Sequence, residues 1–107
     1  MDNNFQIAFA AAAKVSGVSV ADMLTMTRTR ELTVARQVAI LLLRGESYTD
    51  EQIGWMLGRR RAAITKSRHA AYSMLEISHS FNRKLERARE IYEQKKKARA
   101  WAMEHAQ

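Results

Sequence analysis

The sequence contains no cysteine and no proline, and glycine occurs only four times in 107 residues. Without cysteine there can be no disulfide and no thiolate metal site, which suits a reducing compartment and sets the expectation of a cytoplasmic protein. Without proline, and with so little glycine, helices can run uninterrupted. Apolar residues recur at helical spacing and hardly ever alternate with period two, so the fold class is all-α. Long apolar runs are missing as well: no stretch approaches the roughly 20 residues that cross a bilayer, and no membrane partner is expected. Residues 1–17 place alanines after the acidic Asp2 with no basic segment before them, unlike a secretory signal. The three histidines, His69, His79 and His105, stand far apart with no His-x-x-x-His pair, so no metal and no other cofactor is expected. The acids are scattered, and no Ser-His-Asp or paired-carboxylate arrangement can be argued. The chain is therefore not expected to be an enzyme.

What is present is positive charge. The formal net charge is +7, which favours a polyanionic partner, and nucleic acid is the usual one. The length suits one domain with one core, and the pattern predicts about six helices. Phe5, Ile7, Ala8, Ala11, Ala12 and Val15 form the stripe of a first helix that Gly17 can end. Ser19, three residues before Asp22, caps a short second helix with Met23 and Leu24 inward. Residues 25–31 carry Arg28 and Arg30 among threonines and read as a basic loop, after which Thr33 can cap the central helix. Val34, Val38, Leu41 and Leu42 share that helix's buried face. Thr49 and Gln52 form a capping box at the start of a short helix that Gly58 breaks. A further helix from about Arg60 carries Ile64, Ala71, Met74 and Leu75. Its stripe resumes after a kink at 78–80 with Phe81, Leu85, Ala88, Ile91 and Tyr92 as a long C-terminal helix. Residues 1–92 read as the domain, and 93–107 as a basic helical extension whose end frays.

A short helix, a tight glycine turn and a second helix make a helix-turn-helix, which needs apolar residues where the helices touch and exposed polar ones where the second meets a groove. Ile53, Met56, Leu57 and Ile64 can fill the junction, and Gly54 permits close backbone approach. Trp55 lies one position off this stripe and is expected to pack half-exposed. Arg59, Arg60, Arg61, Lys66 and Arg68 follow with no acid before Glu76, where the helix dipole also favours phosphate.

These residues resemble the C-terminal double-stranded DNA-binding domain of the bacterial replication initiator DnaA, within the Trp-repressor-like superfamily. The likeness spans roughly Ile7 to Leu75. It lies in Val18-Ser-Val-Ala-Asp22-Met-Leu24, in Arg28-Thr-Arg30-Glu-Leu32-Thr-Val-Ala35-Arg36-Gln37-Val-Ala39, and in Ile53-Gly54 leading to Gly58-Arg59. Leu42-Leu43-Arg44-Gly45-Glu46 and Ile64-Thr65-Lys66 are closer to the Trp repressor. In the initiator family a Gly-Gly-Arg-Asp-His-Thr-Thr-Val signature reads bases. Here Gly58 and Arg59 match, Ile64 replaces valine, and Arg60, Arg61, Ala62 and Ala63 stand in the intervening places. The resemblance thus implies the fold and DNA binding, without implying the initiator's own target sequence. No glycine loop ending in Lys-Ser/Thr occurs in these residues, so the initiator's ATP-driven chemistry is not expected of them.

The roles that follow are base reading by Arg60, Arg61 and Thr65, and phosphate clamping by Arg59, Lys66 and Arg68. The resemblance adds Arg36 on the DNA backbone and Arg28 or Arg30 in the adjacent minor groove. Double-stranded DNA is the expected partner, in transcriptional regulation or replication control. The alternative is a protein-interaction module on the same scaffold. RNA is disfavoured, because no aromatic stacking platform adjoins the basic residues. Trp101 and Met103 in the basic extension could anchor a partner helix or a second copy, which leaves a homodimer open.

Overall fold

The computed structural model describes residues 3–106, and among them are six helices and no strand. They are α1 (Asn3–Ser16), α2 (Val20–Met23), α3 (Arg30–Gly45), α4 (Asp50–Leu57), α5 (Arg61–Ile77) and α6 (His79–Glu104). The all-α fold with a long C-terminal helix is the one the apolar periodicity predicts.

Local chemistry explains most of the boundaries. Gly17 has φ +69, and the Val18 amide donates to the Ala13 carbonyl at 3.1 Å, which closes α1 with a left-handed cap. The Ser19 and Thr49 hydroxyls accept from the amides of Asp22 and Gln52, and the Gln52 side chain accepts the Thr49 amide in return. The start of α3 differs from expectation. Thr29, not Thr33, is the cap: its hydroxyl accepts the Leu32 amide at 3.1 Å, so Arg30 and Glu31 lie in the helix and the basic loop is shorter. Both threonines precede good helical residues, but only Thr29 leaves Leu32 on the buried face of the first turn.

At the other end, the expected kink is a one-residue corner. Ser78, in an extended conformation, ends α5 and caps α6, its hydroxyl accepting the Phe81 amide. The Asn82 amide braces the corner by donating to the carbonyls of Leu75 and Ser78. The helix α6 then continues as far as Glu104 through the basic extension, where Lys96 is held at 2.8 Å to Glu46 and lies over the Tyr92 ring.

Buried from Ala35 to Leu43 on every side, α3 is the axis of the fold. A helix buried all round has to be covered all round, its polar Arg36 and Gln37 included. One side is covered by α1 and α6, the other by α4 and α5; α1 reaches neither α4 nor α5. Phe9, outside the expected stripe, is buried and stacks on Phe5 with ring centroids 4.2 Å apart. Leu24 is turned to solvent, whereas Met23 is fully buried.

Replacing Thr29 with alanine should cost about 1 kcal/mol of stability. The same change at the exposed Thr33 should cost less than about 0.5 kcal/mol. Urea denaturation of the two variants measures the difference, and equal losses would contradict the placement of the cap.

Candidate nucleic-acid interface

The geometry of the α4–α5 junction follows from two glycines. An added Cβ at Gly54 would sit 2.6 Å from the Arg59 carbonyl oxygen, so the two backbones meet where only hydrogen fits. The Arg59 amide donates to the Gly54 carbonyl at 2.8 Å, and Gly58, at φ +67, makes the left-handed turn that this requires. Ile53, Leu57 and Ile64 are buried at the junction. Since the buried side of α4 is Ile53, Gly54 and Leu57, Trp55 points the opposite way. It is 90% exposed, where half-exposed packing was expected.

A buried carboxylate fixes how α4 lies on α5. Asp50 accepts from Arg68 Nε at 3.0 Å and Nη2 at 2.8 Å, and from the Thr65 hydroxyl at 2.8 Å, with Arg44 Nε at 3.7 Å. Two of the expected DNA contacts are therefore engaged inside the protein. The Arg68 fork is bidentate on Asp50, and Thr65 is half-buried with its one hydroxyl proton between Asp50 at 2.8 Å and the Arg61 carbonyl at 3.1 Å. The Arg68 hydrogen bonds hold the Asp50 carboxyl below the usual range against the opposing effect of burial.

Arg36 departs further from the expected backbone contact. It is 8% exposed and donates from Nε to the Met23 carbonyl at 2.9 Å. Its Nη2 donates to the carbonyls of Thr25 at 2.8 Å and Asp22 at 3.3 Å. Those carbonyls terminate the short α2, where a cation is well placed. Arg59 Nη2 donates to the same Thr25 carbonyl at 2.8 Å. One loop carbonyl thus ties the loop after α2 to α3 and to the turn before α5. Burial, then Arg59, then Arg28 push the Arg36 guanidinium pKa down, which records three cations drawn together.

The structure accordingly gathers Arg28, Arg36, Arg59 and Lys66 around one pocket of about 240 Å³ floored by Ile40 and Ile64. Arg60 and Arg61 are exposed at the head of α5, and Arg30 is exposed at the head of α3. Whereas α2, α3, α4 and α6 carry side-chain caps, no side chain caps α5 at Arg60. Beyond it, Ala62, Lys66, His69 and Ser73 are exposed at helical spacing and form the outward face of α5. His69, considered in the sequence only as a metal ligand, belongs to this face; its position three residues after Lys66 is the signal that marks it. No family model, curated protein or solved structure matches this chain.

Removing one partner of a buried ion pair strands the other, so Asp50→Ala should cost about 3 kcal/mol. The Asp50 pKa is lowered on folding. Its contribution is therefore complete at neutral pH, begins to fall as the pH drops to about the ordinary carboxyl value of 3.8, and is lost below that. Denaturation midpoints followed through this acid range should fall less steeply for Asp50→Asn than for the unaltered chain. Parallel curves would show that the carboxylate is not the group responsible.

Proposed function

We propose that the chain binds double-stranded DNA, with α4, the turn 58–60 and α5 acting as a helix-turn-helix and α5 as its recognition helix. The outward face of α5 carries the reading: Arg61, Ala62, Lys66, His69 and Ser73 are exposed together, behind a helix start whose amides no side chain occupies. Free amides and the positive end of the dipole are what a phosphate requires. The small Ala62 and Ala63 let the helix backbone approach a groove closely, while Arg60 and Arg61 can reach guanine edges as bidentate donors.

The crowded cations support the same reading. The Arg36 pKa is lowered by burial first, and then by repulsion from Arg59 and Arg28. An anionic backbone passing the pocket would relieve that repulsion, and each neutralised phosphate also releases counterions. In this assignment Arg28, Arg59 and Lys66 meet phosphates, with Arg30 at the edge of the loop. Arg36, Arg68 and Thr65 position the contacting residues without touching DNA. Transcriptional regulation and replication control both require a binder of this kind. The second reading, a protein-interaction module, draws on Trp55, which stands 90% exposed on α4; exposed tryptophans are typical anchors at protein interfaces.

Selection of bound duplexes from a random pool at near-physiological salt should recover a motif. Arg60→Ala/Arg61→Ala should lower affinity for that motif by about tenfold or more, each bidentate pair being worth about 1–3 kcal/mol, with a smaller loss on unrelated duplexes. Equal losses on all duplexes would remove the base-reading role, and absence of duplex binding would overturn the reading in favour of the Trp55 surface. Arg36→Ala should weaken binding and stability together, because it releases the loop that carries Arg28.

A further inference from the structure

A second cationic surface lies across the core from the α5 start. Lys14 in the last turn of α1 faces Arg83, Lys84 and Arg87 of α6 across a groove, with Val15 and Ile91 at its base. Lys95 stands eleven residues after Lys84, close to three full turns, and so returns to the same side of α6. The cations of this side extend over about 17 Å of helix at 1.5 Å per residue. Of the acids, Glu93 lies opposite Lys84 on the helix and Glu86 well round from it, whereas Glu90 follows Arg83 by seven residues and shares its side. The nearest of them, Glu90, makes only a 3.9 Å contact with Arg87 between groups that are 65% and 60% exposed, which neutralises little.

The position of the groove separates it from the site described above. It opens where α6 begins, just past the last residue of α5, and Arg61 lies at the other end of that helix, about 24 Å away at 1.5 Å per residue. Its other wall, α1, does not reach α4 or α5. A duplex seated at the head of α5 is therefore centred at the opposite end of that helix from Arg83 and Arg87.

We infer that this groove binds the phosphate backbone of a second DNA duplex, so that one molecule bridges two duplexes. The inference rests on the reading of α5 as the first DNA site. A row of cations along one helix suits a strand that presents a charge every 3.4 Å or so. A membrane surface suits it less well, since insertion needs exposed apolar side chains. Val15 is half-buried and Ile91 buried.

The test is capture of a labelled duplex by the full chain already held on an immobilised duplex, at near-physiological salt. The unaltered chain should capture it. Arg83→Glu/Arg87→Glu should still bind the immobilised duplex but capture the second at least about tenfold less well, as loss of two phosphate contacts predicts. Lys14→Glu, on the opposite wall, should act in the same direction, and Arg83→Gln/Arg87→Gln should give a smaller loss. Capture that survives all these changes means that bridging comes from paired copies and overturns the proposal, as does absence of capture by the unaltered chain. Loss of binding to phosphatidylserine vesicles without loss of duplex capture assigns the groove to lipid and also overturns it. If Arg60→Ala/Arg61→Ala binds the immobilised duplex normally while Arg83→Glu/Arg87→Glu does not, the α5 reading fails and the groove is the sole site. That outcome removes the two-duplex arrangement as well.

Discussion

The Thr25 carbonyl accepts from two arginines, Arg36 of α3 and Arg59 of the turn before α5. Much of the candidate interface depends on this shared oxygen. The loop after α2 is too short of apolar residues to bury itself, and its backbone groups would otherwise face water. From within the fold Arg36 donates once to it, at Thr25, and twice to the α2 carbonyls that lead into it, and Arg59 ties it to the turn. The loop is thereby fixed beside the head of α5, and Arg28 is brought to the same pocket as Lys66. A surface built from separate chain segments becomes one continuous cationic face.

The energetic consequences are opposed. Drawing Arg28, Arg36 and Arg59 together raises the electrostatic energy of the free protein, and burying Arg36 adds a desolvation penalty. Three hydrogen bonds to carbonyls at a helix end offset part of this cost. On the other flank Asp50 neutralises Arg68 and lies within 3.7 Å of Arg44, so the strain of like charge is confined to the side where an anion can approach. The asymmetry leaves the excess positive charge on the side of Arg28, Arg36 and Arg59. The position of α4 on α5 is set by similar contacts: Gly54 against Arg59, and Asp50 against Arg68 and Thr65.

Charge on the opposite side of the core follows a simpler rule. Arg83, Lys84 and Arg87 of α6 line one groove, and α1 contributes Lys14 across it. The basic composition is thus divided between two separate surfaces, with α3 between α1 and the α4–α5 pair. Trp55 and the C-terminal Trp101 and Met103 remain exposed apolar groups outside both.

The helices, most of their caps and the glycine turn are legible in the sequence because they depend on residues close in the chain. A hydroxyl reaches an amide three positions on, an apolar stripe repeats every three or four residues, and a left-handed turn needs glycine where it occurs. The cap of α3, at Thr29, lies only one turn before the equally suitable Thr33. The direction in which each cation points was not legible. Arg36, Arg59, Thr65 and Arg68 look alike as members of a basic, polar run, yet their partners lie 13, 34, 15 and 18 residues away. Only the packing of α4 on α5, and of the loop on α3, brings those partners within hydrogen-bonding distance. The sequence by itself determined an all-α chain with a basic turn and helix. The tertiary structure decided which of its cations are held inside the protein and which are left for a partner, because a hydrogen bond depends on separation in space and not along the chain.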